Sequence, residues 1–203
     1  MGENTNSKST SKRGPIIVSR HGRPALDRTA GPKLGWEEYR DWWNRYEAGS
    51  LAPDQDVPDV LKEAVADVDI VLSSARIRAI ETARLATEGR EPITDPVFNE
   101  APLPPPRLKR ARYLPKTWNI ISRAAWLRGH ALDGESVSEA RLRARRAAER
   151  LHEEAAKGSV YVAAHGWFNR MLRPAMSRMG WVCVRDGGDS YWSFRVYEYR
   201  GKS

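Results

Sequence analysis

Three stretches of the chain are short, apolar and unalternated: Pro15–Ser19 around Ile16, Ile17 and Val18, Asp69–Ser73, and Ser159–Ala164. Strands read this way when both faces are covered, as in a parallel sheet between helices. Pro92–Phe98 is a further strand expectation, interrupted by Pro96. Helical spacing fills the intervals. Leu61, Ala64, Val65 and Val68 share one face, and Ile77–Thr87 forms a second short helix. From Val137 to Ala156, Val137, Ala140, Ala144, Ala147, Leu151 and Ala155 recur at steps of three and four, opened by Ser136 and Glu139 as a capping box. Trp181–Val184 and Tyr191–Tyr199 flank Asp186-Gly187-Gly188-Asp189, a hairpin signal. Pro174 predicts a kink or restart in the helix after His165. Strands alternating with helices argue for an α/β domain with a mainly parallel sheet.

Two segments break the rhythm. Residues 24–58 place Pro24, Pro32, Pro53 and Pro58 around a helical stretch from Trp36 to Ala48. Residues 101–133 begin with a proline cluster and run into Trp118–Leu127. Both are expected as cap insertions over one end of the sheet, where ligand loops sit. Trp36, Tyr39, Trp43 and Tyr46 fall at helical spacing, so the cap helices are expected to pack on each other or on the sheet. The alternative reading is an aromatic wall above the ligand site, and the two can hold for different rings.

Composition adds limits. The 203 residues fit one domain, residues 14–203, after a polar tail at 1–13 that is expected to be disordered. No run approaches a membrane span, and the tail lacks the apolar core of a secretory signal. A single cysteine, Cys183, excludes an internal disulfide and multi-cysteine metal sites, and points to a reducing cytoplasm. Lys and Arg number 34 against 26 Asp and Glu, a net +8, of which the tail supplies +2. Such a balance favours anionic partners without choosing among them. The run Arg141–Arg146 turns its arginines away from the Ala/Leu stripe, and no nucleic-acid motif accompanies it. A solvated face is expected there, and His152 is expected to be solvated with it.

The chemistry lies where apolar strands stop. Ser19 runs into Arg20-His21-Gly22, Leu72 into Ser73-Ser74 with Arg78 beyond, and Ala164 into His165-Gly166. In a parallel sheet these ends share one edge, so two arginines and two histidines converge. Cationic and donor groups around one point suit a phosphoryl group, and Gly166 at a helix start adds backbone N–H donors.

With these residues in view, the chain resembles the histidine phosphatase superfamily, whose branches include phosphoglycerate mutases and small-molecule phosphatases. Four signals carry the resemblance: Arg20-His21-Gly22, the Ser73–Ala83 segment with Arg78 and Thr82, Gly134-Glu135-Ser136 with Arg143 downstream, and His165-Gly166. The resemblance implies a three-layer α/β/α sandwich with a helical cap. It also implies a metal-independent phosphomonoesterase of the histidine acid phosphatase type, with no cofactor, acting on a phosphorylated small molecule. His21 becomes phosphorylated; Arg20, Arg78, His165 and Gly166 hold the phosphoryl oxygens; and Glu100, after Val97-Phe98-Asn99, matches the family's proton donor. Arg23 and Glu135 are expected as substrate or rim residues. Two departures stand out. Asp27 replaces an expected Asn phosphate ligand and is expected to point elsewhere, with Arg23 compensating. Ala101–Pro106 replaces the family's Gly-x-Trp-Glu-Gly after Glu100. Rival readings are a mutase-like phosphotransferase and a non-catalytic phospholigand or nucleic-acid binding module. A peripheral membrane role for residues 36–46 is a third. Neither substrate identity nor oligomeric state is legible.

Overall fold

The computed structural model describes residues 13–131 and 134–201. Of the polar tail, residues 1–12 lie outside the described residues. Arg13 is fixed, its guanidinium donating to the His152 carbonyl at 2.7 Å. A six-stranded sheet is assembled from β1 (Ile16–Arg20), β2 (Ile70–Ser73), β3 (Ile93–Thr94), β4 (Val160–Ala164), β5 (Trp181–Asp186) and β6 (Phe194–Tyr199), in the order β3-β2-β4-β1-β6-β5. The pairs β3–β2, β2–β4 and β4–β1 are parallel; β1–β6 and the β5–β6 hairpin are antiparallel.

Alternation along the central strands builds two cores. On one face Ile16, Val18, Val160, Val162 and Ala164 meet α5 (Val137–Glu154) and α6 (Gly166–Arg178) through Ala144, Ala147, Leu151, Phe168 and Leu172. On the other, Ile17, Tyr161 and Ala163 meet α2 (Asp59–Val65) and α3 (Ile77–Ala86) through Leu61, Val65, Ala83 and Ala86. Burial on both faces is why these strands are unalternated in sequence. The polar exception, Tyr161, spends its hydroxyl on Ser19 Oγ at 2.9 Å.

The two insertions form a cap. The helix α1 (Trp36–Ala48) packs against α4 (Pro115–Leu127) through a stack in which Tyr39 lies 5.5 Å from Trp118 and 6.0 Å from Trp42. Leu34 and Tyr113 exchange backbone hydrogen bonds at 2.8 and 3.0 Å, tying one insertion to the other.

Three local expectations are corrected. Pro92–Phe98 yields only the two-residue β3, because Pro96 opens a 3-10 turn at Pro96–Phe98, capped by Asp95 accepting from the Val97 N–H at 2.9 Å. The helix α6 continues through Pro174, which is exposed, so water can serve the carbonyl that loses its partner. His152 is half-buried rather than solvated: Trp181 Nε1 donates to its Nδ1 at 3.2 Å, and the Tyr199 ring stands 5.2 Å away.

Candidate active site

The carboxyl ends of β1, β2 and β4 lie on one edge, and the residues that follow them converge. His21 leaves β1 with its N–H bonded to the Ala164 carbonyl of β4 at 3.0 Å. Gly22 follows because no side chain fits: a Cβ there would stand 2.4 Å from the Trp192 indole. The Gly22 N–H donates to Thr82 Oγ1 at 3.0 Å, and Thr82 in turn donates to the Arg78 carbonyl at 2.6 Å. The histidine loop is thus bolted to α3.

His21 and His165 are buried, with ring centroids 5.0 Å apart at 62°. His21 Nδ1 lies 2.7 Å from the Gly22 carbonyl, which can only accept, so Nδ1 carries the proton and Nε2 keeps its lone pair. Arg78 Nε donates to that Nε2 at 3.2 Å. The other guanidinium nitrogens of Arg78, which is fully buried, reach the Tyr46 and Glu47 carbonyls at 2.9 and 3.1 Å and Glu47 Oε1 at 2.6 Å. The negative end of α1 therefore holds the arginine in place. His165 Nε2 sits 2.7 Å from Ser74 Oγ, while its Nδ1 faces Arg78 at 3.4 Å. Burial, then the charges of Arg78 and Arg20, hold the His21 imidazole well below its ordinary pKa. Burial and Arg78 do the same to His165. Both rings are neutral at pH 7.

Arg20 donates to the Asp189 carbonyl at 2.6 Å and lies 4.1 Å over the Tyr191 ring, with its buried Nε unpartnered. Gly166 permits this approach, since a Cβ there would sit 3.1 Å from that Nε. Glu100 crosses to the first turn of α6: its carboxylate accepts from Phe168 N at 2.8 Å, Trp167 N at 3.2 Å and Ala101 N at 2.9 Å. Arg20, His21, Arg78, Glu100 and Gly166 all line one cleft of about 450 Å³, and His165 lies directly behind. Among the described residues no group of three His, Cys, Asp or Glu side chains is placed to hold a metal ion.

Arg23 and Glu135 do not line this cleft. Backbone bonds of Arg23 to Gln55 and Ala52 pin its loop while its side chain is exposed. Glu135 forms a bidentate pair with Arg143 at 2.7 Å, and Arg143 also holds the Val97 and Asn99 carbonyls at 3.0 and 2.7 Å. The Gly-Glu-Ser segment thus secures the loop that carries Glu100. Asp27 points elsewhere, accepting from Thr29 N and Oγ1 at 2.7 Å. That turn brings the next residue, Arg28, into the cleft, with no carboxylate partner among the described residues. Arg28, Glu47, Tyr191 and Asp189 were not found by sequence reasoning. Asp189 and Tyr191 read as hairpin residues, and Glu47 lies at the end of the Trp36–Ala48 helix with no signal of its own. In the aromatic cap Tyr39, Trp42, Tyr46 and Trp118 are core, and Tyr46 also lines the cleft with the half-buried Trp43, beside Leu103, Ile120 and Leu127.

A parallel-sheet edge presenting two neutral histidines among arginines defines an anion-binding α/β class. Within it, the chain belongs to the histidine phosphatase superfamily, branch 1, whose model matches residues 55–202. The match starts beyond Arg20-His21-Gly22, which enter the same site by geometry. A protein from an open reading frame of Mycobacterium tuberculosis is 19% identical, with TM-score 0.57, covering 94% of this chain and 98% of that one. A Thermus thermophilus protein is 21% identical with TM-score 0.54, covering 93% and 95%. A phosphoserine phosphatase of Entamoeba histolytica, in complex with phosphoserine, is 16% identical with TM-score 0.53, covering 80% and 79%. At such identities the likeness is one of fold. The comparison with curated proteins gave no match. Among the described residues no helix is long and apolar enough to cross a membrane.

Proposed function

We propose that the protein hydrolyses a phosphomonoester of a small molecule through a phosphohistidine at His21. One observation carries this reading: a buried, neutral imidazole whose Nδ1–H is committed to the Gly22 carbonyl, so that Nε2 faces Arg78 at 3.2 Å as a lone pair. In the proposed reaction, Nε2 attacks phosphorus in line as the bond to the leaving oxygen breaks. Arg20, Arg78 and the Gly166 N–H take up the charge on the equatorial oxygens, with His165 backing Arg78 and His21. Glu100 gives its proton to the leaving oxygen, then as carboxylate takes one from the water that attacks the phosphohistidine. Inorganic phosphate leaves, and His21 and Glu100 are restored. Oε2 of Glu100 is the better placed oxygen for this, since its one hydrogen bond is the longest of the three.

Cys183 remains a free thiol, which fits a reducing cytoplasm. The test is release of inorganic phosphate from an aryl phosphate with chelator present. Wild type is expected to turn over, and His21→Ala to lose at least ~10⁴-fold. With 3-phosphoglycerate, which has a second hydroxyl, an isomeric phosphate ester in place of inorganic phosphate would identify a mutase and refute hydrolysis.

A further inference from the structure

A second groove, of about 470 Å³, opens between α5 and α6 and shares Trp167 and Arg170 with the cleft. Its walls are Arg141 and Arg145 from α5 and Arg170 and Arg178 from α6; its floor is Met171, Pro174 and Ala175. Three nearby carboxylates are committed elsewhere. Glu154 serves Arg150 and Lys157, Glu135 serves Arg143, and Glu139 caps its own helix. Of the four arginines only Arg170 has an acidic partner among the described residues, Asp189 at 2.9 Å. Like charges at i and i+4, as in Arg141 and Arg145, work against an isolated helix. Trp167, which lines both cleft and groove, has a buried indole N–H without an acceptor among the described residues.

We propose that this groove seats a second oxyanion, carried by the leaving part of the substrate. The substrate is then a phosphomonoester with a distal phosphate or carboxylate: one phosphoryl group sits at His21, the chain passes over Trp167, and the far anion lies among Arg141, Arg145 and Arg178. The assignment rests on the phosphatase reading of His21. Arginine suits the task because its planar fork meets an oxyanion with two parallel donors. The sequence pattern Arg141–Arg146 therefore has a use beyond solvation for two of its members.

The experiment compares alkane α,ω-bisphosphates with alkyl monophosphates of matched length, on the full chain. At a favoured spacer the bisphosphate is expected to show a kcat/KM about tenfold or more above its monophosphate. In Arg141→Ala/Arg145→Ala that ratio falls to about one, and rises again with Arg141→Lys/Arg145→Lys. Both positions are exposed, so a thermal melt near wild type is expected to accompany the loss. A ratio near one at every spacer, or a preference kept by the double alanine variant, overturns the proposal. If no ester is hydrolysed, the His21 reading has failed separately. Calorimetric titration of the matching bisphosphonates and monophosphonates then decides, with equal affinities overturning the groove. An oligothymidylate bound more tightly than any bisphosphate, and released by the same variant, overturns it in favour of nucleic acid.

Discussion

The sheet edge and the cap are built on different physics. At the edge His21, Arg78 and His165 are buried and held by short polar contacts to backbone or to another fixed group: His21 by the Gly22 carbonyl, Arg78 by Tyr46 and Glu47, His165 by Ser74. The cap is held by stacked rings around Tyr39 and Trp118, and its cleft side presents Ile120 at 66% and Leu127 at 49% exposure. Chemistry that needs a fixed geometry sits on the first, and an adaptable apolar wall is supplied by the second. The separation is incomplete, because the C-terminus of α1 is both the end of the cap helix and the seat of Arg78.

That joint gives the largest expected effects. Arg78→Ala removes a proposed phosphoryl ligand and leaves Glu47, among the described residues, with only the partly exposed Arg76. We expect kcat/KM on an aryl phosphate to fall by about 10²–10³ and stability by about 3–5 kcal/mol, read by steady-state kinetics and urea melts. Retention of both would separate cap from edge entirely. Trp118→Ala opens the cap core and is expected to cost about 3–5 kcal/mol. If α1 is the mechanical link, its KM rises as well.

Protons probe the edge alone. Both histidines have folded pKa values below the unfolded value of about 6.5, so the unfolded chain binds more protons as pH drops. Their contribution is whole above about pH 6.5 and declines below it, by about 1.4 kcal/mol per pH unit for each ring. The decline ends where the folded pKa is reached. Urea midpoints between pH 5 and 8 measure this, and His21→Phe would flatten the slope by about half. The smallest change is expected at the rim: Ile120→Ser should raise KM for an aryl phosphate by a few-fold through lost apolar contact, with kcat held.

Much of the edge was legible because strand-end chemistry repeats a short pattern: an apolar run, then Arg-His-Gly, Ser-Ser or His-Gly. The cap helix Trp36–Ala48 matches its expected bounds, since its aromatic spacing is unbroken. Arg28 was hidden for a physical reason. Its entry into the cleft depends on the Asp27 turn onto Thr29, an interaction that sequence spacing does not reveal and that instead drew attention to Arg23. Glu47 was hidden because an acid at a helix end reads as solvated until a buried arginine is known to sit beside it. The Asp189 turn was read as a hairpin, which it is, but only the β1–β6 pairing carries it to Arg20.

The central claim concerns a covalent bond at one nitrogen. Enzyme mixed with an aryl phosphate and quenched within milliseconds under alkaline conditions, which spare a phosphohistidine, can be digested and read by mass spectrometry. The account predicts one phosphoryl group on the peptide containing His21, absent from His21→Ala and accumulating in Glu100→Gln. Steady phosphate release with His21 unmodified, or with the label on another residue, would contradict it.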